Sequence, residues 1–212
     1  MEHLLDPISI LKKKEEYALE ELKKDEPMVL LTSPHAMYCA SISTSKAHQK
    51  ITPLADYPGA RIILCGRGNQ SDLIVFKNEI RRAITVYEQM VHGKDLSGRL
   101  VAFTAAEILR KHYLEGQKAF SIQVAFVDIL DPEDPICAIS FTGEQFVGNN
   151  FLFNESGIMP ITERPETLEE MKTYAKTIFG ERKEGTIFWN FELTITPEPP
   201  TPKPETQSEE NK

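Results

Sequence analysis

Cysteine, cationic charge and long apolar runs are all scarce in these 212 residues. The three cysteines, Cys39, Cys65 and Cys137, form no CxxC pair, and each sits in an apolar stretch. That excludes a disulfide scaffold and reads as buried, reduced thiols in a cytoplasmic chain. Lys and Arg number 24 against 32 Asp and Glu, for a net charge of −8. Nucleic-acid binding rests on clustered cations that neutralise phosphates, so this balance argues against nucleic acid as a main partner. No run approaches the ~20 apolar residues that cross a bilayer. Met1-Glu2-His3-Leu4-Leu5-Asp6 does not read as a signal peptide, so no membrane partner is expected. The five histidines (His3, His35, His48, His92, His112) share no spacing that sets two on one helix face or hairpin. No metal site is expected from them. The chain carries no internal repeat.

What is present is an ordinary globular composition, 41% hydrophobic and 26% charged, sufficient for one domain with a tail. Residues 7–24 read as a helix, with Asp6 as N-cap and Pro7 at the first helical position, where a missing N–H costs nothing. Its apolar residues (Ile8, Leu11, Ala18, Leu22) make a narrow stripe between charged flanks. Such a helix is expected to lie against a neighbour, another subunit, and not in a core. Residues 28–31 and 36–42 flank Thr32-Ser33-Pro34-His35 and predict a hairpin. Residues 61–65 read as a buried strand that ends in Gly66-Arg67-Gly68-Asn69.

Two long helices follow. Leu73, Phe76, Ile80, Ala83, Ile84, Tyr87 and Met90 keep the 3.6-residue period, and His92-Gly93-Lys94-Asp95 ends that helix. Ser97 caps the second, which carries Val101, Ala102, Ala105, Ala106, Leu109 and Tyr113 on one face and stops at Gly116. Next, Phe120, Ile122, Val124 and Phe126 alternate with Ser121, Gln123 and Ala125, as in a strand. Turns at 131–135 and 142–144 bracket a strand at 136–141. Residues 149–160 read as irregular, 164–179 as a helix and 186–195 as a final strand. Beyond Thr196 the chain is rich in Pro, Glu and Thr, and disorder is expected. This gives three segments: 1–26 with the first helix, a domain over 27–196, and a tail over 197–212. The segregated order predicts an α+β fold with mainly antiparallel sheets covered by helices.

Chemistry-bearing motifs are few. Gly66-Arg67-Gly68 lacks the third glycine of a dinucleotide loop and the βαβ context, so it reads as a tight strand-to-helix turn. Gly93-Lys94-Asp95 lacks the upstream glycine and following Ser or Thr of a phosphate loop, and no cofactor is expected. Lys50, in Ala47-His48-Gln49-Lys50-Ile51, is by its type a surface lysine at a strand edge.

The order of these features is what carries a resemblance. Asp6-Pro7-Ile8-Ser9 opens a helix, a hairpin follows, then Gln49-Lys50-Ile51. After these come Gly66-Arg67-Gly68-Asn69-Gln70-Ser71-Asp72, Asp95-Leu96-Ser97-Gly98-Arg99 between long helices, and the strand from Phe120. Over residues 7–141 the chain resembles a proteasome α-type subunit, most closely those of actinobacterial proteasomes. The resemblance implies an N-terminal-nucleophile-hydrolase αββα sandwich of two antiparallel sheets flanked by helices, with an N-terminal helix. It also implies a heptameric ring of copies of this chain, stacked on β-type subunits that carry the N-terminal threonine. Such a ring is gated by its N-termini and docks the C-termini of a ring-shaped AAA ATPase or other activator. Lys50 and Gly66 match the family's activator-docking pocket. The family commonly has two helices between its later strands, where this sequence shows one.

No catalytic residue is expected. Where the active β subunits have their threonine this chain has Glu26-Pro27-Met28, and the place of the acid is Ile42. The chain is then a silent component of a threonine-type endopeptidase complex. The alternative is an active hydrolase of the same fold with an unrecognised nucleophile, freed by cleavage before Thr32 or Ser33.

Overall fold

The computed structural model describes residues 6–43, 51–53, 62–91, 96–128, 131, 133, 135–180 and 187–194. The chain runs α1 (Pro7–Lys23), β1 (Met28–Ser33), β2 (Ala36–Ser43), β3 (Ile51–Pro53), β4 (Ile62–Gly68), α2 (Gln70–Val91) and α3 (Gly98–Glu115). It continues β5 (Ile122–Asp128), β6 (Ile136–Ile139), β7 (Gln145–Gly148), β8 (Asn150–Asn154), β9 (Gly157–Pro160), α4 (Leu168–Phe179) and β10 (Ile187–Thr194). The fold is α+β. Its strands form two antiparallel five-stranded sheets, in the orders β10-β2-β1-β8-β9 and β3-β4-β5-β6-β7.

Strand alternation explains the layering. In β5, Ile122, Val124 and Phe126 join Leu64 of β4 beneath Phe76 and Ile80 of α2 and Val101, Ala105 and Leu109 of α3. The intervening Ala125 and Val127 face the other way, into a core shared with Met28, Leu30, Met37 and Cys39 of the first sheet. The two sheets therefore lie face to face. The outer side of the first sheet (Val29, Leu31, Tyr38, Ala40) is covered by Met171 and Ala175 of α4. Alanines at 102, 105 and 106 let α3 approach its sheet closely, as their spacing predicts. All three cysteines are buried thiols outside any disulfide.

The 28–42 hairpin, both long helices and the 120–126 alternation stand where the sequence puts them. Ser97 caps α3, its Oγ accepting from the Leu100 N–H. Four expectations need correction. Residues 149–160 are not irregular: β8 lies between β1 and β9, with Leu30 opposite Phe151. Its apolar run is only Phe151-Leu152-Phe153, too short to declare itself without the strand that receives it. Gly66, Arg67 and Gly68 lie within β4, opposite Val124, Gln123 and Ile122, so only Asn69 separates strand from helix. Helix α4 begins at Leu168, four residues after the expected start, because Thr167 and Glu170 form a reciprocal capping box after Pro165.

The fourth correction is to α1. Asp6 makes no side-chain cap bond, and the helix is not wholly outside the core. Ala18 and Leu22 are buried against Ala119 and Phe141 of the same chain, with Leu19 and Tyr113 beside them. The expected helix end at residues 92–95, Lys50 and the tail beyond Thr196 all lie outside the described residues. No helix among the described residues is long and apolar enough to cross a membrane.

Candidate functional site

Of the two residues expected in a docking pocket, only Gly66 is among those described. Lys50 is followed by Ile51, the first residue of β3, and Ile51 pairs with Cys65, the residue before Gly66. A Cβ on Gly66 would stand 2.6 Å from Leu73 Cδ2 and 3.4 Å from Val124 Cγ1. The space left by the absent side chain is thus filled from within, by the first turn of α2.

At the head of β1, Met28 is fully buried, and the hydroxyl bonded at the junction is Ser41 Oγ, which donates to Pro27 O at 3.1 Å. Thr32 lies at the far end of the strand. Its Oγ1 donates to Asn149 O at 2.7 Å, and its N–H donates to Asn150 Oδ1 at 2.9 Å. Ser33 Oγ accepts from the Ala36 N–H at 3.1 Å and so serves the hairpin turn.

Helix α1 is where the surface departs from that of a self-contained domain. Ala18 and Leu22 are docked, whereas Ile8 is 63% exposed and Tyr17 45%. Ile10, Lys14 and Tyr17 share a face by their i, i+4, i+7 spacing. Lys14 Nζ donates to Tyr113 O at 3.1 Å and Leu114 O at 3.4 Å, which satisfies carbonyls at the end of α3 and brings Leu114, itself 52% exposed, to the same edge. The result is an apolar edge drawn from two helices. Helix α2 also carries exposed apolar residues, Ile74, Val75, Val86 and Met90, the last 74% exposed.

The residues that orient α1 escaped the sequence reading. Arg67 is fully buried and reaches the end of α1, where its Nη2 donates to Leu22 O at 2.7 Å and Asp25 O at 2.8 Å. Gly68 N–H donates to Asp25 Oδ2 at 2.7 Å. Next to it, Asp72 accepts from the Ser121 N–H at 3.0 Å and from Lys118 Nζ at 2.8 Å. Burial pulls the Arg67 guanidinium below its ordinary value, opposed by the nearby charges of Asp25, Glu155 and Glu26. Lys118 is held above the ordinary lysine range, chiefly by its bond to Asp72. The available signal was an arginine between two glycines at the end of a β-branched, apolar run. Read as strand instead of turn, it would have put a charge inside the sheet, which demands a partner. Compared with protein-family models and with curated proteins, the chain matches none.

Proposed function

We propose that this chain is a non-catalytic α-type subunit of a bacterial proteasome core particle, building the outer ring through α1. In this reading the two-sheet sandwich is of the N-terminal-nucleophile-hydrolase type. Copies of the chain form a heptamer in the cytoplasm, and that ring stacks on threonine-bearing β-type subunits, gates their chamber and receives activator C-termini near Lys50 and Gly66. The observation that carries it is the half-docked α1, which leaves Ile10 and Tyr17 beside Leu114 on one exposed edge. In a closed ring, one repeated contact buries such an edge on every copy. The helix–sheet–sheet–helix layering and the order of motifs along the chain support the same reading.

An active hydrolase exposed by cleavage before Thr32 is disfavoured on packing grounds. Such a cut would remove Met28, Val29, Leu30 and Leu31, every one of them fully buried in the middle of the first sheet. The test of the proposal is the particle mass in solution by light scattering, for the full chain and for a chain lacking residues 1–24, each alone and with a candidate β-type subunit. The full chain is expected at the mass of a heptamer or its double, and the truncated chain as monomers or small oligomers. A full-length monomer under both conditions overturns the reading.

A further inference from the structure

Arg67 heads the fully buried side chains by volume, yet among the described residues no carboxylate bonds to it. Its three bonds go to neutral oxygens: Leu22 O, Asp25 O and, from Nη1 at 3.0 Å, Gln123 Oε1. Its Nε has no partner among the described residues. The acceptors explain the arrangement. Helix α1 ends without a left-handed glycine, since Lys24 keeps right-handed helical angles and folds its N–H back to Glu21 O and Leu22 O. Leu22 O also accepts from the Asp25 N–H at 3.2 Å, and the carbonyls of a last helical turn carry a negative partial charge that favours a cation. Arg67, on a strand 45 residues further on, supplies that cation and a shorter bond to the same oxygen.

We propose that Arg67 is a latch that fixes the direction in which α1 leaves the sandwich, and so presents the Ile10, Tyr17 and Leu114 edge to a second copy of the chain. The second half of that statement rests on the ring reading above. The first does not. Replacing a whole buried ionic group and its partners by apolar side chains is commonly neutral for stability, whereas replacing Arg67 alone takes its donors from Leu22 O, Asp25 O and Gln123 Oε1. Direction is what the guanidinium supplies: a planar fork whose donors reach a carbonyl of α1, a carbonyl of the turn just after it and an amide of β5. Ala18 and Leu22 give α1 affinity for the domain, but apolar burial is non-directional. No residue of the first half of α1 is fully buried; that half is held only through the Lys14 bonds to the end of α3, and the packed anchor is at Ala18 and Leu22. A tilt of about 10° there would move Pro7, roughly 22 Å along the helix, by about 4 Å. Asp25, bonded to Gly68 N–H, is the second arm of the latch.

The experiment is amide hydrogen exchange and particle mass on the full-length chain carrying Arg67→Met. Exchange of α1 amides from Ile10 to Leu22 is expected to rise at least about tenfold, the scale of a lost charge-assisted bond. Exchange in β1 and β5 is expected to stay within about twofold of wild type, since the core keeps its packing. Arg67→Lys, a point charge in place of a fork, should restore part of the protection. Unchanged α1 exchange overturns the latch, as does a rise of equal size in β1 and β5, which would make Arg67 an ordinary core member. Loosened α1 amides with an unchanged particle mass uphold the latch and overturn the ring role of α1. Should Arg67→Met not accumulate as folded protein, Asp25→Ala cuts the second arm from a half-buried position. Loosened α1 amides then uphold the latch, and unchanged ones overturn it.

Discussion

Where α1 meets the sandwich, the groups that close the end of the structure are charged: Arg67, Asp25, Asp72 and Lys118. At the other end of β1 the closing groups are neutral, with Thr32 held by Asn149 and Asn150, and Asn150 Nδ2 donating to Glu163 O at 2.7 Å. The neutral corner joins two strands that are already hydrogen-bonded neighbours, so short side chains suffice to finish it. The charged junction instead ties a helix to the second sheet, although that helix leads into β1 of the first. Long side chains must both reach and orient it. Charge-assisted bonds are stronger and more directional than neutral ones, and they tolerate partial exposure. Charged groups thus do here what short neutral ones do at the other corner: Arg67 and Asp25 hold the end of α1, Asp72 the start of α2, and elsewhere the buried Asp128 accepts from the Gly98 N–H at the start of α3.

The largest effect should come from breaking the charged end at its backbone. Gly68 has φ +112°, and a Cβ there would lie 2.2 Å from Ser121 O and 3.0 Å from Leu22 Cδ2. Gly68→Ala should cost roughly 3–5 kcal/mol of unfolding free energy, since it combines a conformation that side chains avoid with a clash against backbone. Gly66→Ala makes the internal control: its nearest contact is the flexible tip of Leu73, so the chemical denaturation midpoint should fall much less. Equal losses at the two glycines would erase the distinction between a strained junction and a packed strand.

The neutral corner sharpens the comparison from the other side. Asn150→Ala removes two bonds and leaves the buried Thr32 N–H without its acceptor, at an expected cost of about 2–4 kcal/mol by the same denaturation measurement. The effect should be insensitive to salt, because neither partner is charged.

The smallest effect belongs to the exposed arm of the charged end. Lys118→Ala should lower stability by less than about 1 kcal/mol, for the Lys118 side chain is 54% exposed and its pairing with Asp72 is screened. Because Lys118 is raised from its ordinary 10.5, its contribution is whole at neutral pH and is lost as pH climbs through the higher folded value. The gap between wild type and Lys118→Ala in melting temperature should therefore hold up to about pH 10.5 and close above it. A gap that widens with alkalinity would reverse the assignment of cause.

Much of the architecture was legible because it is periodic. The stripe of Val101, Ala105 and Leu109 and the alternation of Ile122, Val124 and Phe126 each bury one face, so composition and spacing announce them together. The 149–160 region was illegible because β8 is stabilised by pairing with β1, over a hundred residues earlier, and not by any local preference. The candidate site was legible in part. The amphipathic character of α1 could be read, but not its outcome: Ala18 and Leu22 of the expected stripe are buried in this chain, while the exposed edge is made by Ile10 and Tyr17, which that stripe did not include, and by Leu114, brought there by the contact between Lys14 and the end of α3. Gly66 could be singled out, while its filling by Leu73 could not.

The sequence by itself determined the α+β class, the hairpin, the two long helices and the amphipathic character of α1, because these follow from local period, caps and turns. Only the tertiary structure decided that half of α1 belongs to the core, that Gly66-Arg67-Gly68 is strand, and that Arg67 completes a helix 45 residues earlier. The physical reason is the range of the interactions. A period needs only neighbours along the chain, whereas a buried guanidinium is defined by the carbonyls that surround it, and those are supplied by an element whose place the local sequence does not encode.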